Sequence, residues 1–322
     1  MSVLETTNAT LKNKYPYKYE LGPDGEYNIR WVDFGSEALQ NSFFEEEVLR
    51  HVVGRSGLFV DAPMTSIMDW AQAAPVIEPN GFIFHISRCG STLIGNLFRR
   101  HPEVLAHSEP KILSDLLTEI NPQNRTFVMR MYQGIVNALS QPRREAERHF
   151  VIKQSSFDTC YAPLIAEAYP NTPRILVYRD PIEVLISNYD GMQSWLSIPK
   201  DLGFSQVQMF EEHTILENAV YALKAAFKAF LDSYNEHCLV INHNQFSEPA
   251  YRELLAWFKV PVTDGQFNQI MQESTKNSKG RGRKFTGDSA KKQERATPKM
   301  RALVEEHLYP LYEQLEAKRL SL

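Results

Sequence analysis

An α/β fold, with a central parallel sheet and helices on both faces, is predicted from three observations. Short apolar, β-rich runs alternate with helix-length periodic segments from Gly81 to Ile241. One of these runs, Gly81–Ile86, passes through a glycine turn directly into a helix carrying Leu93, Ile94, Leu97 and Phe98. Polar and charged residues recur just beyond the carboxyl ends of the runs, where open parallel sheets place their ligands. With 322 residues, 43% hydrophobic and 23% charged, the chain can bury a core of the size such a sheet needs.

Polar and apolar residues alternate on either side of Gly22-Pro-Asp-Gly25, so Tyr17–Leu21 and Tyr27–Phe34 are expected to form a hairpin. Phe43–Val53 and Met64–Ala73 have helical spacing, and the loop from Ala74 to Gly81 leads into the central strand. This divides the chain into an N-terminal appendage, residues 1–78, packed on a main domain, residues 79–322. Pro102–Ala106 is the expected second strand, ending at the polar turn His107-Ser-Glu-Pro110. Helices at 112–119 and 128–139 follow, then a strand at Phe150–Lys153 and a helix at 161–168. Arg174–Tyr178 reads as a buried strand leading through Arg179-Asp-Pro181 into a helix at 182–189. Thr214–Tyr234 is the strongest helix, its stripe of Leu216, Val220, Leu223, Phe227, Phe230 and Tyr234 explained by core packing. Cys238–Ile241 is the last strand, and Tyr251–Phe258 and Met300–Ala317 are helices. Thr275–Lys292 is Gly- and Lys/Arg-rich without apolar periodicity. It usually would be a solvated loop.

A net charge of −4 argues against general nucleic-acid affinity, so any site for a polyanion must be local. Cys89, Cys160 and Cys238 form no Cys-x-x-Cys pair, which fits a reducing compartment and implies no metal. Met1–Tyr15 has no apolar signal core, and no segment approaches the ~18 apolar residues of a membrane span, so the expected location is cytoplasmic.

The segment Arg88-Cys89-Gly90-Ser91-Thr92-Leu93 is a candidate phosphate-binding loop. Gly90 supplies backbone freedom for the turn, Ser91 and Thr92 can cap the helix, and orphan N–H groups, the helix dipole and the Arg88 guanidinium would converge on an anion. The same strand, turn and capped helix also occur with no ligand. Gly90 stands where the Gly-x4-Gly-Lys-[Ser/Thr] loop has its lysine, which weakens an ATP or GTP reading. This loop resembles that of the sulfotransferase family, especially its tyrosylprotein and bacterial branches, where it binds the phosphosulfate end of 3′-phosphoadenosine 5′-phosphosulfate (PAPS). The resemblance implies a P-loop nucleotide-binding fold. It is convincing over residues 81–190 and loose elsewhere.

Under that resemblance Glu109, in the turn after the second strand, corresponds to the family's general base, which takes the proton of the attacking hydroxyl. Read without it, Glu109 caps the helix opening at Pro110 or pairs with Lys111. Lys153 at its strand exit matches the lysine on the oxygen bridging phosphate and sulfate, where an ammonium stabilises growing charge; otherwise it is a surface lysine. Arg179 and Ser187, eight positions apart, resemble the second sulfotransferase signature, which holds the 3′-phosphate; Arg179 could instead pair with Asp180. Arg283-Lys284, followed by Gly287, partly matches a loop that closes over the nucleotide. Departures are Cys89, where Ser or Gly is common, and Asn242-His-Asn-Gln-Phe246, where many members carry a Tyr-Glu pair near the adenine. His85, His107, His213 and His243 receive no catalytic role, although His107 is the nearest alternative base.

These readings imply a PAPS-dependent sulfotransferase, with Glu109, Lys153 and Arg88 catalytic and Arg88, Cys89, Gly90, Ser91, Thr92, Leu93, Arg179, Ser187, Arg283 and Lys284 holding the donor. The product would be adenosine 3′,5′-bisphosphate, and the acceptor a small molecule, glycan or peptide with no nucleic acid involved. Residues 189–204 are either an acceptor lid or a plain connection. Two rivals share the features: a P-loop kinase, opposed by the missing lysine, and a silent nucleotide-binding regulator, which would need neither Glu109 nor Lys153.

Overall fold

The computed structural model describes residues 11–23, 25–53, 59–68, 75–191, 214–277 and 289–321. Five strands form the parallel sheet: β4 (Pro79–His85), β5 (Val104–Ser108), β6 (His149–Lys153), β7 (Arg174–Tyr178) and β8 (Cys238–Asn242). Their order across the sheet is β5-β6-β4-β7-β8. Residues of β5, β7 and β8 are buried throughout, as expected of strands covered on both faces. After β4 the chain crosses to β5 on one side, and after β6 it passes to β7 on the other. The strand order therefore reverses at β4, and the region beyond its carboxyl end is where open parallel sheets place their ligands.

The N-terminal hairpin exists, as β1 (Lys14–Leu21) and β2 (Tyr27–Asp33). A strand absent from the sequence reading, β3 (Phe59–Pro63), pairs antiparallel with β2. Between them α1 (Phe44–Val52) lies close to its expected place. Tyr15, Trp31, Phe34 and Phe44 join the hydrophobic cluster that also contains Phe150 and the sheet residues, so one core runs through both parts of the chain.

Helices connect the parallel strands: α2 (Ser91–Arg99), α3 (Lys111–Thr118), α4 (Arg125–Leu139), α5 (Ala162–Ala168), α6 (Pro181–Gly191) and α7 (Ile215–Asp232). A 3₁₀ turn at Phe157–Tyr161, unforeseen in the sequence, precedes α5. Thr214 and Glu217 close a reciprocal capping box on α7, and Val220, Leu223, Phe227 and Phe230 are buried as the stripe requires. After β8 come α8 (Glu248–Trp257), α9 (Asp264–Asn277), α10 (Ser289–Arg295), α11 (Pro298–His307) and α12 (Tyr309–Leu320).

Two expectations at this end need correction. The helix expected across Met300–Ala317 is two helices parted at Leu308, because Pro310 is accommodated only in the first turn of a new one. The basic stretch is helical at both of its described ends, in α9 and α10. No helix among the described residues is long and apolar enough to cross a membrane.

Candidate functional site

The candidate phosphate-binding loop leaves β4 through backbone that few residues tolerate. Ser87, Arg88 and Gly90 hold φ of +62°, +49° and +85°, and Glu109 holds +56°. Such conformations cost on the order of 1–3 kcal/mol in a non-glycine residue and gather at functional sites. Three of the five described non-glycine residues with positive φ are Ser87, Arg88 and Glu109, all just beyond the carboxyl ends of β4 and β5.

Gly90, rather than Ser91 or Thr92, occupies the cap position of α2, and no side chain bonds the helix end, which corrects the expected hydroxyl cap. A helix start without a side-chain cap is of the kind that can take an anion. A side chain at Gly90 is excluded on two grounds: its left-handed φ, and a ring carbon of Phe246 2.7 Å from where a Cβ would stand. Arg88 is exposed at the loop tip, and Cys89 is fully buried, where burial pushes its thiol up and leaves the backbone as its contribution. Ser91 is buried, and Thr92 and Leu93 are partly so.

The neighbouring strands bring the charged residues together. In the β5–β6 register Ser108 sits opposite Lys153, and the Glu109 N–H donates to the Lys153 carbonyl at 2.7 Å. The side chains then meet: the Lys153 ammonium donates to Glu109 Oε1. Lys153 is 2% exposed, and its stem is admitted by Gly95 of α2, where a Cβ would stand 3.1 Å from Lys153 Cδ. The Phe43 ring lies 5.5 Å from the ammonium.

His85, given no role from sequence, completes this group. Its Nδ1 accepts from the Ser87 N–H at 3.2 Å, which assigns the ring proton to Nε2, and Nε2 lies 3.2 Å from Glu109 Oε1. Burial, then the Lys153 charge, lowers the His85 pKa, so the imidazole is neutral. Burial opposes ionisation of Glu109, yet Lys153 and His85 outweigh it and hold the carboxyl at about 2. The capping and Lys111-pairing readings of Glu109 do not hold. The helix-start N–H of Lys111 is instead taken by Glu45 of α1 at 2.7 Å, and burial, with Glu109 nearby, raises the Glu45 carboxyl to about 7. His107 faces the other way, into the core among Tyr15, Phe44 and Phe150, with Nε2 3.0 Å from the Leu139 carbonyl; burial brings it to about 3, and it is no rival base.

Arg179 and Ser187 both lie buried where β7 gives way to α6. Arg179 pairs with Glu183 at 2.5 Å rather than with Asp180, whose carboxylate accepts the first N–H groups of α6 from Ile182 and Glu183. The loop is tied to the same helix, since Ser87 Oγ donates to Asn188 Oδ1 at 3.2 Å. From α10, Ser289 donates to Glu183 and Gln293 to Asp180. Arg283 and Lys284, and residues 192–204 of the supposed lid, lie outside the described residues. No cluster of three His, Cys, Asp or Glu side chains suited to a metal occurs among the described residues.

No protein-family model matches the chain, and no curated protein matches it. Among solved structures the chain is similar to a sulfotransferase from Alicyclobacillus acidocaldarius at 18% identity and a TM-score of 0.44, covering 76% of this chain and 96% of that one. It is also similar to a sulfotransferase from Mycobacterium avium at 12% identity and a TM-score of 0.46, covering 74% and 78%. A mouse sulfotransferase complexed with PAP is similar at 12% identity and a TM-score of 0.46, over 83% of this chain and 96% of the other.

Proposed function

We propose that this chain is a sulfotransferase that moves the sulfuryl group of PAPS to a hydroxyl or amine of a small-molecule, glycan or peptide acceptor. The observation that carries the reading is the meeting of Glu109, Lys153 and His85 at the ends of three adjacent strands, beside a loop and helix end open to an anion. A regulator that only bound nucleotide would have no use for a buried lysine paired with a strained glutamate.

The residues present fit the donor. Arg88, Gly90, Ser91 and Thr92, with the backbone of Cys89 and Leu93, would hold its phosphosulfate end, and Arg179 and Ser187 its 3′-phosphate. Arg283 and Lys284 would add charge from the basic stretch. Bound there, the donor supplies a sulfuryl group on a phosphate leaving group. Glu109 takes the acceptor's proton as the acceptor oxygen or nitrogen bonds to sulfur and the bond from sulfur to the bridging oxygen breaks. The Lys153 ammonium offsets the charge that grows on that oxygen.

These two roles are coupled through the resting ion pair. At about 2 the Glu109 carboxyl is ionised but a weak base. As Lys153 turns from Glu109 to the leaving oxygen, the strongest influence lowering that pKa is withdrawn, and the carboxylate gains proton affinity when a proton has to be taken.

Calorimetric titration with adenosine 3′,5′-bisphosphate, against ADP and ATP with magnesium as controls, tests the donor before any acceptor is known. Tight bisphosphate binding that collapses in Arg179→Ala and Ser187→Ala is expected. Glu109→Gln should keep that binding while transfer falls by ~10²-fold or more. Preference for ATP with magnesium, or no nucleotide binding, overturns the proposal.

A further inference from the structure

A cavity lies at the opposite end of α2 from the candidate phosphate-binding loop, at the foot of edge strand β5. Its volume is about 100 Å³, and Leu39, Arg99, Arg100, His101, Arg144 and Glu147 contribute to its lining. Three guanidinium groups thus face one carboxylate. That carboxylate is already taken: Glu147 accepts from Arg144 Nε at 2.8 Å and from the backbone N–H groups of Arg143 and Arg144. His101 adds no charge, because its Nδ1 accepts from the Glu103 N–H at 3.2 Å, its Nε2 lies 2.9 Å from the Pro261 carbonyl, and burial lowers its pKa.

Arg99 and Arg100 are then left with no carboxylate partner among the described residues. Arg99 is 8% exposed and donates only to neutral oxygens, Asn96 Oδ1 and the Leu39 carbonyl. Arg100 Nε is buried with no hydrogen-bond partner. Glu46 and Glu47 act on Arg99 at longer range, but Glu47 is held by Arg50, Asn41 and the Gln40 N–H. A buried arginine without a carboxylate is rare, and an unmet buried donor is destabilising. Burial, together with the adjacent Arg100 charge, lowers the Arg99 guanidinium to about 10. The negative end of the α2 dipole favours cations here and its carbonyls take the Arg100 backbone N–H, but Arg100 Nε stays unmet.

We infer that this cavity is a binding site for a small tetrahedral oxyanion, sulfate or phosphate, held between Arg99 and Arg100. The size fits, since 100 Å³ is about three waters' share of liquid volume. The chemistry fits because planar guanidinium forks match such oxygens and two unmatched positive charges call for a dianion.

The full chain is titrated with sodium sulfate and with sodium phosphate at ionic strength held constant by chloride, reading heat and thermal midpoint. The expected result is saturable binding that weakens at least tenfold in Arg100→Gln, weakens less in Arg100→Lys, which keeps the charge but loses Nε, and persists in Arg88→Ala. Adenosine 3′,5′-bisphosphate should not displace it. Loss in Arg88→Ala with retention in Arg100→Gln places the anion at the phosphate-binding loop and overturns the inference; so does displacement by the bisphosphate. A non-saturable response, or one matched by chloride, means an adventitious ion only and overturns it as well. Should Arg100→Gln fail to fold, Arg100→Lys with unchanged affinity is the overturning result. None of these readings depends on sulfuryl transfer.

Discussion

His85 joins two tasks in one ring, because Nδ1 fixes the strained Ser87 and Nε2 addresses the base. The two can be separated by substitution. His85→Asn keeps a short-reach acceptor for the Ser87 N–H and loses the donor to Glu109. His85→Gln reaches Glu109 with an amide N–H and loses the Ser87 contact. The Asn variant should bind bisphosphate nearly as the parent does, with transfer down roughly tenfold. Since His85 helps to lower the Glu109 pKa, its loss raises that pKa, and the acidic limb of the rate profile should move to higher pH. The Gln variant should show the converse, weaker bisphosphate binding with the acidic limb unmoved. Equal effects of both variants on affinity and rate would reduce His85 to a packing residue.

At the scale of elements, the loop and α2 stand on one glycine. Gly90→Ala must take up a left-handed backbone and displace Phe246, so denaturant unfolding should show a loss of about 1–3 kcal/mol and titration a tenfold or greater loss of bisphosphate affinity. Undiminished affinity would remove the loop from the phosphate site. The strands around it were legible because β4 to β8 are buried on both faces and read as continuous apolar runs. Glu109, Lys153 and Arg179 were legible for the same reason, each standing one residue past such a run or at its last position. β3 was not, since the five residues Phe59–Pro63 have no clean alternation and gain a strand's identity only by pairing with β2. Among the described side chains of α9, Phe267 and Ile270 are the buried ones on a largely polar helix, too sparse a period to see. Glu45 and His85 escaped because their contacts with the helix start after Glu109 and with Glu109 itself are tertiary, and no sequence spacing encodes them.

At the scale of the whole molecule, stability turns on the buried carboxyl of Asp158, in the 3₁₀ turn after β6. It is 1% exposed, it accepts from Ser114 and the Ser155 N–H, and its Oδ1 has no partner. Burial raises its carboxyl from 3.8 to about 7. A folded-state pKa above the unfolded value contributes stability that is complete below pH 3.8 and is lost as pH rises through about 7. Asp158→Asn should therefore gain on the parent as pH rises from 4 to 8, by up to roughly 4 kcal/mol at about 1.36 kcal/mol per unit of pKa. Chemical denaturation across that range reads it, and a parallel pH dependence of both proteins would refute it. Phe43 and Glu45 come from chain that adds no strand to the parallel sheet. If Glu109 is the base proposed above, its surroundings are drawn from two sources, Lys153 and His85 on the sheet and Phe43 and Glu45 from the chain before it, so changes at the latter two can alter what meets Glu109 while the sheet partners stay in place.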